Sequence, residues 1–586
     1  MTNIRLNLKS SQFLIGLLLL PILIPMYHSY GDQYHTIIYC LTAVILCFAL
    51  IIKALKQTEH SIKLTTIDII VLAIVLYVSA HQVIYSKYFD LQVASRAMAG
   101  AIVFLFFKTL GEKEEKVNQL FDIFLILGII EVFFVIVEAL KLFSFSTDSI
   151  HSINGTLANP NVVAIFLAIL IPLSFYRFFT ASRNKYLYLI FILLFIIVIV
   201  LSKCRSAIVL SIFLIITYAI RSIPKWNLKR LLLIFILIIS LISVFVHINV
   251  QKKDSNVSRM LIWKVSLDLI RNKPFIGFGF SNFEKEYNLH QSLYLEKKGI
   301  TQAEIYTSGY IRQPYNEYLY CWLTGGFIYV ALYLTLWGIS VYHLAKSFTK
   351  SSSPLKFTSS VTLAGLFLIS TFSYTFYLVI IEFFLFVHLG ILATFATPIK
   401  AINLKQVTLF PLLIASSLFL GPYSSNQLIA DYHLSYSIND KTAKLNKQLK
   451  TFEKYYHSNK EDPQFLFNYA LSLIKAKQYQ EAIKNLNIAK QYSSYYQIYF
   501  VSGGCYELMG KTNEAEQDYL HSSALYPSMY QPHYALFRMY LRLNSYEKAK
   551  AIARQIDQIP VKVNLPKIEK IKSEVKNFLL NPNHSL

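Results

Sequence analysis

Three short clusters in this chain carry the residue types for chemistry on an anionic, water-facing substrate. Lys203-Cys204-Arg205-Ser206 sets a basic pair between two very apolar runs. Ser258-Arg259-Met260-Leu261-Ile262-Trp263 opens an amphipathic stretch with an arginine near its start. Gln313-Pro314-Tyr315-Asn316-Glu317-Tyr318-Leu319 puts a phenol, an amide and a carboxylate side by side. The guanidinium is planar and permanently charged, and it can grip two oxygens at once, so an arginine suits a diphosphate. A helix N-terminus adds free N–H groups for the same anion. With Ser258 as the cap, a helix from about Arg259 to Arg271 would carry Arg259 in its first turn. Its apolar stripe, Leu261, Ile262, Val265 and Leu269, would let it lie on a membrane surface. Taken alone, Arg259 reads first as a contact for lipid headgroups; the bland reading of Lys203 and Arg205 is a pair that snorkels to the interface. Asn272-Lys273-Pro274 ends the helix, and Gly277 and Gly279 permit a tight turn back.

The elements that must position these clusters are membrane spans. The chain has 586 residues, 55% hydrophobic and 15% charged, where a soluble protein carries about 25% charged residues. About thirteen apolar runs approach the length that crosses the hydrocarbon core: near 11–27, 36–55, 65–84, 93–109, 120–143, 160–178, 186–202, 206–221, 229–249, 318–343, 357–376, 379–396 and 406–422. The first follows a basic start but lacks a small-residue cleavage site, so it reads as a retained span. The expected fold is all-α: a polytopic transmembrane helix bundle of 12–13 spans over 1–422, with one large polar loop at about 250–317. Connections of that length are rarely idle.

A net charge of +23 could suggest a nucleic-acid partner, but its location argues against one. With a cytoplasmic N-terminus, the inward loops and span ends hold most of the basic residues of the membrane part, among them Lys53, Lys56, Lys113, Lys116, Arg183, Lys185, Arg221, Lys346 and Lys350. The short outward ones hold only Lys87, Arg96, Lys141, Lys203 and Arg205. The positive-inside rule favours that orientation, which places the loop, and everything after about residue 423, outside the cytoplasm. The five cysteines, Cys40, Cys47, Cys204, Cys321 and Cys505, are scattered and give neither a disulfide framework nor a metal spacing. No metal or cofactor is expected.

After Tyr423 the composition changes and a repeat appears. Glu481-Ala482, Glu514-Ala515 and Lys548-Ala549 recur at spacings of 33 and 34 residues, and Pro527 and Pro560 are 33 apart. Small residues at fixed places let paired helices approach closely. This period is that of the tetratricopeptide repeat, so 428–580 is expected to be an α-helical repeat domain, with three units over 462–561 and a degenerate helix pair at 428–458. Such stacks present a concave surface for a protein partner; the bland reading is a spacer. Among polar residues within spans, Arg96 either snorkels or lines a substrate cleft. Glu131 and Glu138 share a helix face and stand for either function or an interhelical hydrogen bond. Asp68 and Glu382 have no assigned role. The 41 tyrosines suit interfacial belts more than sugar stacking.

The order of these motifs resembles the O-antigen ligase/polymerase family. Arg205-Ser206 begins a span, Arg259 stands four residues before Trp263, and Pro274 is followed by Gly277-x-Gly279. Asn316-Glu317-Tyr318-Leu319 precedes Gly325-Gly326, and Asn154-Gly155 with Asn159-Pro160-Asn161 stands ahead of a span. The resemblance covers most of 90–400. It implies a metal-independent membrane transferase at the outer, periplasmic face of the bacterial inner membrane. Such an enzyme passes a glycan from a polyprenyl diphosphate carrier to lipid A core, a growing polysaccharide or a protein. It implies that Arg205 and Arg259 hold the diphosphate; Arg96 and Asn316 are further expected to contact substrate, and Tyr315 and Glu317 to serve catalysis. One position departs from the pattern: Tyr315 stands where the family has a histidine. A phenol, ordinarily with a pKa of about 10, is a poor base at neutral pH. Tyr315 is therefore expected to orient the acceptor and Glu317 to take its proton, with His290 as a substitute; the bland role for Glu317 is to cap its span. Two other classes fit many spans and basic residues: a flippase for lipid-linked glycans, and a scaffold that gathers envelope proteins on its repeats.

Overall fold

The computed structural model describes residues 31–55, 61–85, 90–142, 153–157, 159–222, 228–251, 253–297, 300–349, 351–403, 415–416, 418–421, 445–561 and 565–580. The elements over the first part are α1 (Gly31–Leu55), β1 (Ser61–Leu64), α2 (Thr66–Tyr85), α3 (Leu91–Gly111), α4 (Glu114–Ala139), α5 (Pro160–Thr180), α6 (Lys185–Leu201), α7 (Arg205–Ser222) and α8 (Leu228–Gln251). The loop holds α9 (Lys253–Ile270), α10 (Phe283–Leu295) and α11 (Gln302–Thr307); α12 (Glu317–Ser347), α13 (Pro354–Ile369), α14 (Val379–Ala393) and β2 (Lys400–Asn403) follow. The tail holds α15 (Leu445–Asn459), α16 (Pro463–Lys475), α17 (Tyr479–Tyr492), α18 (Tyr496–Leu508), α19 (Thr512–Leu525), α20 (Tyr530–Arg542), α21 (Tyr546–Gln558) and α22 (Pro566–Leu580). The chain divides into two compact units. One takes residues up to 252 with 315–321 and 327–431; the other takes 253–314, 322–326 and 432–586.

The first unit is a helix bundle. Among the described residues, six helices are long and apolar enough to cross a membrane: α2, α3, α4, α5, α7 and α12. Shorter apolar helices accompany them at 36–51, 185–201, 239–250, 354–369 and 379–393. The apolar run 11–27 lies outside the described residues, as do 406–414, 417 and 422 of the last run. Helix α5 is the bundle's centre. It starts on Asn159, whose side chain accepts from the Asn161 N–H, with Pro160 at the first helical position; there proline removes no hydrogen bond and presets φ. Its neighbours are α4, α6, α7, α13 and α14. Helices α3 and α14 press closely together through glycines. A Cβ on Gly100 would meet the Phe386 ring at 2.2 Å, and one on Gly390 the Phe104 carbonyl at 2.5 Å. Close backbone approach is how helices associate where lipid removes the hydrophobic incentive.

Several charged groups inside the bundle are paired, because an unpaired one in hydrocarbon costs several kcal/mol. Asp68 accepts from Lys108 at 2.6 Å and from the Thr65 N–H at 2.7 Å. Arg177 forks onto Asp122. Glu138 accepts the N–H groups of Asn154 and Gly155 at 2.7 and 2.6 Å, and Glu131 accepts from the Thr156 N–H at 3.0 Å and from its hydroxyl. The two glutamates thus hold the turn at 154–156. One feature has no signal in the sequence: β1 and β2 form an antiparallel ribbon, from Ser61 opposite Asn403 to Leu64 opposite Lys400.

The second unit joins the loop helices to the tail. Pairs α16/α17, α18/α19 and α20/α21 pack in succession, with α15 before and α22 after. The second helices of the pairs begin at Tyr479, Thr512 and Tyr546, the period read from the sequence. Ala482, Ala515 and Ala549 are fully buried, which is why a small residue recurs there. The part of the tail at 428–444 lies outside the described residues. In the loop, one expectation is corrected. Helix α9 begins at Lys253, so Ser258 is inside it and Arg259 sits in its second turn, away from the free N–H groups. The stripe Leu261, Ile262, Val265 and Leu269 is buried, and α9 packs on α10 and α11. Its apolar face finds partners within the loop, so it is not the lipid-lying face that periodicity suggested.

Candidate functional site

In the first unit, Arg205 opens α7 two residues after Lys203, which has a left-handed φ of 52°. The guanidinium is half-buried and Nη1 donates to Asn249 Oδ1 at 2.8 Å, near the end of α8. That bond fixes the head of the side chain.

Arg96 neither snorkels nor points out. Its Nε and Nη2 donate to Glu382 Oε2 at 3.0 and 2.6 Å, and Nη2 also reaches the carbonyls of Phe376 and Tyr377 at 3.0 and 3.1 Å. Glu317 is the first residue of α12 and only 5% exposed. The cap of that helix is Asn316, whose side chain accepts from the N–H groups of Tyr318 and Leu319. Glu317 instead accepts the Phe376 N–H at 3.3 Å, while its own N–H donates to the Ser370 carbonyl at 2.8 Å. Tyr315 has φ of 52°, a region that bulky residues rarely occupy. Its ring lies edge-to-face with Tyr374, centroids 5.4 Å apart. Asn316 between them is extended, and Tyr315 and Glu317 meet the same segment, 370–377, at different residues. The structure therefore brings Arg96, Glu317, Glu382 and Tyr315 around one short connection. Sequence reading left Glu382 without a role. The signal was present: an intramembrane carboxylate needs a cation, and Arg96 was the arginine out of place.

The second unit holds Arg259 in α9. That helix is tied to α11 by Lys264 Nζ donating to Glu304 Oε1 at 2.8 Å, and to α10 by His290 Nε2 facing Asp268 Oδ2 at 3.1 Å; Lys297 reaches the same carboxylate at 2.6 Å. The Lys264 ammonium and the Thr301 N–H hold the Glu304 carboxyl down at about 2. Hydrogen bonds from Lys297 and His290 lower Asp268 as well. His290 is thus engaged with Asp268.

The glycine motifs interlock. The Phe278 and Gly279 N–H groups donate to the carbonyls of Leu323 and Thr324 at 2.7 and 2.9 Å, and Trp322 Nε1 donates to the Pro274 carbonyl at 2.8 Å. Helix α12 is broken at Gly326, φ 69° and ψ −168°. A Cβ there would meet the Phe275 carbonyl at 2.0 Å, and one on Gly277 the Gly326 nitrogen at 2.7 Å. The turn at 274–279 fits the break in the helix, and both motifs need glycine for the same contact.

Residues 168–334 match the model of the O-antigen ligase family. No curated protein matches the chain. Among solved structures, a chain of the crystal structure of the APC/C hetero-tetramer Cut9-Hcn1 aligns at 11% identity over 93% of this chain and 89% of that one, with a TM-score of 0.22; a likeness that low carries no argument. The matched residues contain Arg205, Arg259, the 274–279 turn, the Tyr315 motif and the broken start of α12, and over that region the chain is similar to the O-antigen ligase family.

Proposed function

We propose that this protein transfers a glycan from a polyprenyl diphosphate carrier to an acceptor at the outer face of the bacterial inner membrane. The observation that carries the reading is the family match over 168–334, with Arg205 and Arg259 inside it. An acceptor hydroxyl attacks the anomeric carbon, the bond from that carbon to the diphosphate oxygen breaks, and polyprenyl diphosphate leaves with inversion. Arg205 and Arg259 neutralise the charge that develops on the leaving diphosphate, the part a metal ion plays in other transferases. Tyr315 orients the acceptor and Glu317 takes its proton. The acceptor is lipid A core, a growing polysaccharide or a protein.

Purified protein with a lipid-linked donor tests this directly: free carrier diphosphate and a new glycoside must both appear, and EDTA must leave the rate unchanged. Removing one preorganised charge contact costs on the order of 10²-fold, so Arg205→Ala and Arg259→Ala should each abolish most transfer while the protein stays in the membrane. Wild-type product from either variant rejects the arginine clamp. Near wild-type turnover in Glu317→Gln rejects Glu317 as the base, and Tyr315→His should be tolerated. Glycan analysis of a deletion strain then names the acceptor.

A further inference from the structure

Within the second unit the loop is fastened to two turns of the repeat stack. On α10, the Glu284 carboxylate accepts from the Tyr310 hydroxyl, and the Glu284 carbonyl accepts from Ser494 Oγ at 3.2 Å. Its neighbour Lys285 donates to the Gln491 carbonyl. The Tyr310 ring meets Tyr495 edge-on with centroids 5.1 Å apart. Burial and the Glu284 carboxylate push the Tyr310 phenol up, so it stays a donor. At the next turn Ser528 Oγ donates to the Ser308 carbonyl at 3.1 Å. Tyr526 lies over Gly309, where a Cβ would stand 3.7 Å from its hydroxyl oxygen. Tyr306 packs against the core of the last repeats, and α10 packs on α19.

These contacts answer a physical need. Helices α10 and α11 have 13 and six residues, and isolated helices that short are not stable in water. They meet α9, the helix that carries Arg259, through the Lys264–Glu304 and Asp268–His290 contacts described above. Something must order α10 and α11 before they can order α9.

We propose that the repeat stack acts in cis: at the turns 491–495 and 526–528 its partner is the chain's own loop, and it braces α10 and α11 so that α9 presents Arg259 in a fixed place. This rests on the diphosphate role proposed for Arg259. The repeats are then part of the transfer machinery, and an external protein partner is excluded from these two turns.

The test uses the full-length protein in nanodiscs, comparing wild type with Lys285→Ala/Tyr310→Ala, with Tyr310→Phe and with the milder Ser528→Ala. In the double variant, amide exchange in 283–295, 302–307 and 253–270 should quicken roughly tenfold or more, while 530–580 keeps its protection and so reports an intact stack. The kcat/KM for the lipid-linked donor should fall roughly tenfold, because a misplaced arginine neutralises less of the charge that develops on the leaving diphosphate. Tyr310→Phe keeps the ring and should restore much of both. Unchanged exchange in 253–270 overturns the brace, and so does faster exchange with an unchanged kcat/KM for the donor. If the wild-type protein turns over no donor, the proposed reaction fails, and the exchange measurement still decides whether the repeats order the loop.

Discussion

A single arginine inside the bundle shows how charge is managed where water is absent. Arg96 spends its donors on Glu382 and on two carbonyls of the 370–377 connection. Taking away one partner of a buried pair leaves the other charge unmatched, at about 3–5 kcal/mol, whereas replacing both by apolar groups is often near neutral. Arg96→Met and Glu382→Met should therefore each lower the thermal midpoint in detergent sharply, and the double variant should lose less than the sum. Additive losses would mean the two do not act as a pair. Charge matters differently in the water-facing loop. Glu304 is held at about 2 by Lys264 and Thr301, against an ordinary 4.5. A depressed carboxylate stabilises the fold fully above its unfolded pKa, and that contribution is lost as pH falls through its folded one. Amide exchange in 302–307, normalised to Glu304→Gln, should show wild type better protected above about pH 4.5, with the difference closing towards pH 2. A constant difference across that range would remove the ion pair as the cause.

At the scale of elements, the break in α12 does the positioning. Gly326 occupies backbone space that is essentially restricted to glycine, and Phe275 fills the room its missing side chain leaves. Gly326→Ala should cost about 1–3 kcal/mol from the backbone alone, with more from displacing the 274–279 turn. Gly277→Ala should behave alike, since its φ is 74° and the α12 backbone stands opposite. Gly338 lies further along the same helix, and no described residue comes within 4 Å of the position its Cβ would take. Gly338→Ala should therefore be neutral or gain up to about 1 kcal/mol. Thermal unfolding of the three variants in one detergent separates them; equal effects at all three positions would reject the interlock. Helix amphipathicity could not have shown this contact, because the glycines were legible only as permission to turn. What they turn towards lies about 50 residues away in sequence, a distance that local propensity does not reach.

At the scale of the whole molecule, the distribution of lysine and arginine predicts one orientation, with the loop and the repeat tail outside the cytoplasm. Protease added to intact spheroplasts should release a tail fragment and cut within the exposed loop. A tail that is protected there, yet cleaved in inverted vesicles, would reverse the topology and with it the outward face proposed for the reaction.

The sequence by itself determined what rests on composition and period. Apolar runs announce spans because only a helix satisfies its backbone in lipid. The recurrence at Ala482, Ala515 and Ala549 announces helix pairs because packing forces a small residue to return at fixed intervals. The motif order from Arg205 to Gly326 was legible for the same reason: each residue carries its chemistry in its type. Tertiary structure decided the partners. Glu382 was a carboxylate without a role until α14 was laid against α3 and set it beside Arg96. Ser258 had the look of a cap, but the α9 helix begins five residues earlier and buries its stripe on α10 and α11. The repeats offered a surface, and only the folded loop supplied what occupies two of its turns. Such contacts depend on which surfaces meet, and residues far apart in the chain leave no periodic trace of that meeting.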